Sequence, residues 1–338
     1  PVKPMSIRPS ILVVTLLLSG CFQEADQGSP LVTPPTYGSG TALGGGTQVG
    51  GPLLQVLVSQ PEQVLHQGVR RVTLAGEFAP LVFTEEISCD GNGGFHLEPL
   101  EVISGHHDPA LFLVLETGRA PFAFRYRDFR VESAERFIET HLVHERGAGF
   151  VAGIETIRLD VNRREGGEFN WLVDVDPLSG LVLASEEWRG QTLLARVEYL
   201  SLDLQPDLTG LPIGDHLFDR TILDTSTDLA SQLGYKVLLP TLLPHGFQLE
   251  SAVVMQPLPN DPLDKWIRTE FGDGLGRVVM LQRRQDLSAL YNGEARGEVR
   301  VDQIGAWTIV AGSLDAHEII LAGKVSETNL LEMLQSSL

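Results

Sequence analysis

The sequence predicts an α+β protein made mostly of antiparallel sheet, with a large β-rich unit followed by a smaller mixed one. Between residues 149 and 204, four runs rich in β-branched and aromatic residues are separated only by turn residues. Runs of the same kind recur at 71–102 and again at 248–322. Helical periodicity is confined to short stretches and to a closing segment at 326–338.

The chain starts with a basic stretch holding Lys3 and Arg8. The uncharged run Ile11–Leu18 follows, and then Leu18-Ser19-Gly20-Cys21. A basic region, a short apolar core and small residues before a cut describe a secretory signal. The apolar run is much shorter than the roughly 20 residues that span a bilayer. Leu-Ser-Gly-Cys resembles the lipobox of bacterial lipoproteins. That resemblance implies residues 1–20 as a signal peptide, cleavage before Cys21, a diacylglycerol on its sulfur, and a palmitate-type chain on the new N-terminus in Gram-negative organisms. An ordinary signal peptide with a coincidental cysteine is the other reading. Cys89 then has no disulfide partner, and the core has to hold the fold.

Residues 21–51 are rich in Gly, Pro and Ser and carry too little apolar surface to offset the entropy of ordering, so they read as a flexible tether. The first domain is expected over 52–210. Leu53, Val56, Leu57, Val64 and Leu65 recur at helical intervals. Strands are expected over 71–78, 81–88 and 94–102, the last two joined by Cys-Asp-Gly-Asn-Gly-Gly at 89–94. Residues 108–116 and 122–130 are closer to helical. The clearest runs, 149–160, 168–176, 180–187 and 191–202, form a meander because their connections are too short for anything but neighbouring antiparallel strands. Trp171, Val173 and Val175 share one face of the second run, opposite Leu172 and Asp174.

A linker at 211–227 leads to a second domain at 228–338. It reads as a short helix at 228–234, strands at 248–256, 264–271, 277–283, 306–312 and 317–322, and a final helix capped by Ser326. Leu330, Leu331 and Leu334 lie on one face of that helix.

Val-Ala-Gly at 151–153, Trp-Leu-Val-Asp-Val-Asp-Pro-Leu-Ser-Gly-Leu-Val-Leu at 171–183 and Gln-Thr-Leu-Leu-Ala-Arg-Val-Glu-Tyr-Leu at 191–200 resemble the RseB/MucB family of periplasmic sigma-factor regulators. So do Leu-Pro-His-Gly-Phe at 243–247, Phe-Gly-Asp-Gly-Leu-Gly-Arg-Val-Val-Met at 271–280 and Trp-Thr-Ile-Val-Ala-Gly at 307–312. The resemblance implies a strongly curved antiparallel half-barrel with covering helices, like that of the lipoprotein carrier LolA, in front of a smaller α+β domain. It also implies an apolar groove for lipid or lipoprotein acyl chains and an anti-sigma factor as partner. Trp171, Val173 and Val175 are the groove candidates. A tightly packed core without a groove fits the same residues. The lipobox departs from the family, whose members are mostly soluble in the periplasm.

Other chemistry is poorly represented. The formal net charge of −19 repels phosphate, which argues against nucleic acid and bare anionic membrane as partners. His106-His107-Asp108 places ligands side by side, where adjacent side chains point apart. His141 and His144, three apart on an alternating stretch from 137 to 144, are expected on opposite faces, and the Glu145 that follows does not make a zinc-protease motif. No metal or cofactor is therefore expected. The carboxylate pairs Glu85-Glu86, Glu186-Glu187 and Asp174 with Asp176 are what a chain with 44 acids produces by chance. No nucleophile elbow or Walker lysine occurs, so the chain is expected to bind rather than catalyse. The expected protein is a lipid-anchored lipoprotein of the cell envelope, held by Cys21. By analogy with Gram-negative sorting, Phe22 in place of Asp after the cysteine does not favour inner-membrane retention. That leaves the membrane open, with the outer membrane facing the periplasm expected in a Gram-negative cell. The protein is expected to bind lipid or lipoprotein acyl chains, and the family resemblance implies relay to an anti-sigma factor as an RseB-like envelope-stress sensor. The competing expectation is a structural or assembly lipoprotein that binds an envelope protein through its sheet.

Overall fold

The computed structural model describes residues 57, 63–75, 79–92, 94–105, 129–213, 219–223, 229–233, 236–256, 266–284, 299–314 and 317–337. The expected signal, tether and helical stretch at 108–116, and nearly all of that at 122–130, lie outside them.

The described residues form two antiparallel sheets. The first contains β1 (Leu65–Leu74), β2 (Leu81–Asp90), β3 (Phe95–Ser104), β4 (His141–Val151), β5 (Ile154–Arg163), β6 (Phe169–Val175), β7 (Val182–Arg189) and β8 (Thr192–Asp203). Its spatial order is β3-β2-β1-β8-β7-β6-β5-β4. The meander from β4 to β8 follows from its short turns, whereas the β1–β8 pairing joins the two ends of this region. The sheet is open, with β3 and β4 at its edges, and bulges at several pairings add twist and bend.

Alternation divides the faces as the β6 pattern predicts. Val72, Phe83, Leu159, Val161, Trp171, Val173 and Val197 are buried on the inner face. The outer face is laced with ion pairs, among them Arg158–Asp174 at 2.9 Å, Arg196–Glu198 at 3.0 Å and Arg146–Asp160. One short helix, α1 (Ala134–Thr140), precedes β4.

The second sheet contains β9 (Asp219–Leu223), β10 (Gln248–Gln256), β11 (Trp266–Gly272), β12 (Arg277–Arg284), β13 (Arg300–Ile304), β14 (Trp307–Leu314) and β15 (His317–Gly323), in the order β13-β14-β15-β12-β11-β10-β9. Helices α2 (Leu229–Leu233) and α3 (Glu327–Gln335) accompany it. Ser326 caps α3 by accepting from Asn329 N at 3.3 Å. Leu330, Met333 and Leu334 of α3 pack on Val278, Met280, Val310, Ile319 and Leu321. Leu331 packs at the margin of that cluster.

Four details depart from the sequence reading. Residues 149–160 form a hairpin rather than one strand, because Ala152 (φ 50°) and Gly153 (φ 84°) make a two-residue turn with both central residues left-handed. Residues 137–140 are helical rather than extended, since Ser133 supplies a cap and Glu135 a favourable first-turn charge. Leu65 opens β1 instead of continuing a helix. Strands β9 and β13 were not foreseen, and β9, which pairs with β10, lies inside the stretch read as linker.

Ala152 carries a side chain where the turn favours Asn or Gly. Ala152→Asn is expected to stabilise the fold by about 1 kcal/mol, measured as a raised urea midpoint at unchanged m-value.

Candidate functional site

The inner face of the large sheet and its junction with the second sheet hold the buried groups that a binding function would use. Trp171, Val173 and Val175 are 3%, 0% and 0% exposed. They belong to a cluster closed by Leu57, Phe129, Val131 and Phe137, residues from outside the sheet. Phe137 is the buried residue of α1, so this helix acts as a cover for the face.

Alpha1 is held in place by the second sheet. The turn Gly272-Asp273-Gly274-Leu275-Gly276 joins β11 to β12, and the Asp273 carboxylate accepts from Gly276 N at 2.7 Å and Leu275 N at 3.2 Å. Its other oxygen meets Arg163, whose guanidinium lies 5.2 Å over the Phe247 ring. The Gly274 (φ 100°) carbonyl accepts from Glu132 N at 2.8 Å. A Cβ there would collide with Phe137 N and come within 2.9 Å of Ser133 O, so only glycine permits the approach.

A charged network flanks this contact. Arg136 of α1 donates to Glu250 at 2.9 Å and to Gly272 O at 3.3 Å. Arg277 pairs with Glu132 at 3.1 Å, Glu270 at 3.1 Å and Glu250 at 3.4 Å. Burial raises the Glu250 carboxyl above its ordinary value, with Arg277 and Arg136 opposing the shift. Farther along, buried Lys324 donates to buried Glu187 of β7, and Gly305 N bonds Ala75 O at 3.2 Å.

His141 sits at the centre of the junction. It stacks on Phe137 at 5.0 Å and meets Trp171 edge-on at 5.9 Å. Its Nδ1 lies 2.8 Å from Thr140 Oγ1, which also contacts Arg136 O at 2.7 Å and Asp273 O at 2.8 Å. The hydroxyl has one proton to donate, and both carbonyls only accept. With that proton given to one of the carbonyls, the contact to the ring is a hydrogen bond when His141 donates from Nδ1. Nε2 is then a buried nitrogen without a hydrogen-bond partner among the described residues. Burial, reinforced by Arg163 and Arg164 and opposed by Asp273, lowers its pKa from 6.5 to about 4.

A second buried polar cluster lies on β1, β2 and β8. Arg70 pairs with Glu85 at 2.6 Å, both almost fully buried, and lies 5.6 Å over the Tyr199 ring. Tyr199 OH bonds His66 Nε2 at 2.8 Å, while His66 Nδ1 bonds Val64 O at 2.8 Å. Gly68 leaves the space that the Tyr199 ring fills, for a Cβ there would stand 2.8 Å from it. Cys89 is buried alongside on β2.

The other sequence candidates separate. His141 and His144 take opposite faces, as their spacing predicts, and His106–Asp108 lie outside the described residues. No group of three His, Cys, Asp or Glu among the described residues is placed to hold a metal ion. Asp176 caps its own turn by accepting from Leu178 N at 3.0 Å and Ser179 N at 3.3 Å. Asp174, on the outer face, accepts from Thr156 Oγ1 at 3.1 Å and from Arg158. The sequence reading weighed His141 only as a metal ligand and Glu85 only as half of a carboxylate pair, and it singled out neither the Asp273–Arg163 nor the Arg70–Glu85 contact. The one signal available was the Gly-Asp-Gly-Leu-Gly turn, too generic to point to a partner across the molecule.

Two tests follow from this chemistry. The folded state resists protonation of His141 and the unfolded state does not, so stability is full above pH 6.5 and falls as pH drops from 6.5 towards 4. The loss amounts to about 3 kcal/mol, and chemical denaturation across that range should lose this component in His141→Phe. Removing one member of the Arg70–Glu85 pair takes the 2.6 Å counter-charge from a residue almost fully buried in the sheet. Glu85→Leu and Arg70→Met should each cost about 3–5 kcal/mol, whereas the double variant should cost less than either.

No family model matches the sequence, and neither does any curated protein. Among solved structures, the fold matches a crystal structure of MucB in complex with MucA(peri), with TM-score 0.52 and 19% identity over 85% of this chain and 97% of that one. It also matches the MucA/MucB complex structure of Pseudomonas aeruginosa, with TM-score 0.51 and 18% identity over 85% and 97%. A third match is a crystal structure of MucB, with TM-score 0.51 and 17% identity over 84% of this chain and 96% of that one. The chain thus has a MucB-like α+β fold in which both sheets take part.

Proposed function

We propose that this chain is an extracytoplasmic binding protein of the RseB/MucB kind, tethered to a membrane of the cell envelope through lipidated Cys21, whose partner is the periplasmic segment of an anti-sigma factor. The observation that carries this reading is the extent of the fold match, 85% of this chain against 97% of a MucB chain crystallised with MucA(peri). A match of that extent takes in parts of both sheets, which supports a shared two-part architecture. The reading as a binder is supported by the Asp273–Arg163 and Arg277–Glu132 contacts, which hold the junction in shape.

Acyl chains are the second ligand of this reading. They would lie along Trp171, Val173 and Val175, against Leu159 and Val161 of the same cluster. This surface is covered in the structure, so entry requires Phe137 and the residues beside it to lift away. An acyl chain with about 14 buried methylenes gains on the order of 10 kcal/mol before association costs, enough to offset a local opening of that kind.

The test is a titration of the purified chain against the extracytoplasmic segments of the anti-sigma factors encoded in its own genome. A one-to-one complex that dissociates as a long-chain lipid is added is the expected outcome. Absence of a complex with every such segment would overturn the regulatory reading. Lipid that leaves the Trp171 emission unchanged at saturation would overturn the acyl reading alone. A stoichiometric complex with a different envelope protein, insensitive to lipid, would favour the scaffold alternative.

A further inference from the structure

Among the described residues β3 and β4 lie at the edges of the first sheet, and β9 and β13 at the edges of the second. An open edge is a template for a further strand, and proteins usually blunt it with proline, a bulge or charge. Strand β3 carries Pro99, which offers no N–H, and its register breaks twice against β2. Strand β4 carries a bulge at Arg146. Strand β13 has neither device. Its residues Arg300 to Ile304 pair with Ala311 to Trp307 of β14 in unbroken register, without a proline or glycine. Its far end is fixed, since Gly305 N bonds Ala75 O and Ala306 is buried in the core of the first sheet. The edge is therefore rigid and loses little freedom on pairing.

The two charges on this edge are of opposite sign and sit on one face. Val301 lies opposite Val310 and shares with it the face on which α3 packs. Arg300 and Asp302 take the reverse face, opposite Ala311 and Ile309 of an apolar cluster that includes Trp307. Arg300 is exposed, and Asp302 is half-buried beside that cluster. Desolvation raises the Asp302 carboxyl above its ordinary value, and Arg300 opposes the shift. A second cation would relieve the same carboxylate.

A second copy of this chain supplies one. Two copies of an edge meet antiparallel about a two-fold axis normal to the sheet, so matching faces let the pairing slide only in steps of two residues. With Val301 opposite Val301, Arg300 of each copy stands opposite Asp302 of the other. A slide by one step sets Arg300 against Arg300 in one direction and Asp302 against Asp302 in the other. One register alone pairs opposite charges, and it also brings the two Val301 side chains together. Antiparallel pairing places the two Gly305 tips, each docked on its own first sheet, at opposite ends of the shared ladder.

We propose that this chain forms a homodimer through β13, antiparallel and in this register, with two Arg300–Asp302 pairs on one face and the Val301 pair on the other. The pairing joins two seven-stranded sheets into one continuous sheet. It leaves the inner face of the first sheet untouched and does not depend on the partner or the lipid proposed above. An edge of this length buries less than a standard interface, so the dissociation constant is expected on the order of 10 μM.

The experiment is sedimentation equilibrium of the full chain carrying Cys21→Ser, which keeps it free of lipid and detergent, over about 1–100 μM. The parent chain should pass from monomer to dimer in this range. Arg300→Asp and Asp302→Arg each set like charges opposite one another and should weaken the dimer about tenfold. An equimolar mixture of the two variants restores opposite charges at both positions and should dimerise like the parent, with one copy of each per dimer. A chain carrying both substitutions is self-complementary again and should also dimerise, which shows that neither change harms the fold. A parent chain still monomeric at about 100 μM overturns the inference. So do single variants that dimerise as tightly as the parent, or a mixture and a double variant that both remain monomeric.

Discussion

The approach of the Gly274 backbone to the first turn of α1 is the contact on which the rest of the architecture depends. It is possible because position 274 has no Cβ and holds a φ of 100°. From that contact, Asp273 reaches Arg163 at the end of β5, and Thr140 reaches the Asp273 carbonyl. Alpha1 is thereby fixed with Phe137 over the inner face and His141 buried beneath it. A five-residue turn of one sheet thus determines whether the face of the other is covered.

The same arrangement explains how a rigid sheet could serve a switchable function. The inner face is apolar around Leu159, Val161, Trp171 and Val173, but its cover is a seven-residue helix and nearby loop residues held largely by polar contacts to the second sheet. Such contacts exchange with water more readily than core packing does. Opening the face and loosening the junction are therefore coupled events, which is the coupling a protein would need if one ligand acted on the inner face and another on the assembled surface. His141 adds a pH term of the same sign, because its protonation also opposes the closed arrangement.

The buried Arg70–Glu85 pair contributes in another way. Continuum reasoning and experiment agree that such pairs contribute little net stability compared with apolar replacements. Here the pair, the Tyr199 ring and His66 specify how β1 sits between β2 and β8. That register is set by contacts distant in sequence, and a one-residue slip would turn Val72 and Arg70 away from the inner face.

Period-two alternation and short turns determined, from the amino-acid order alone, the meander from β5 to β8, the β2–β3 hairpin, most strands of the second sheet and the capped final helix. Those signals are local, and local signals suffice where neighbours in sequence are neighbours in space. They failed at Ala152-Gly153, where alanine occupies a left-handed position, and at 137–140, where a helix of only seven residues is stabilised mainly by its docking. Trp171, Val173 and Val175 were legible as one face, but their cover was not, because Phe137 and Leu57 reach them through tertiary packing. The pairing of β1 with β8, the meeting of Asp273 with Arg163 and the buried site of His141 were decided by the tertiary structure alone. Each joins residues far apart in the chain, and the energy that places them exists only once both sheets are formed.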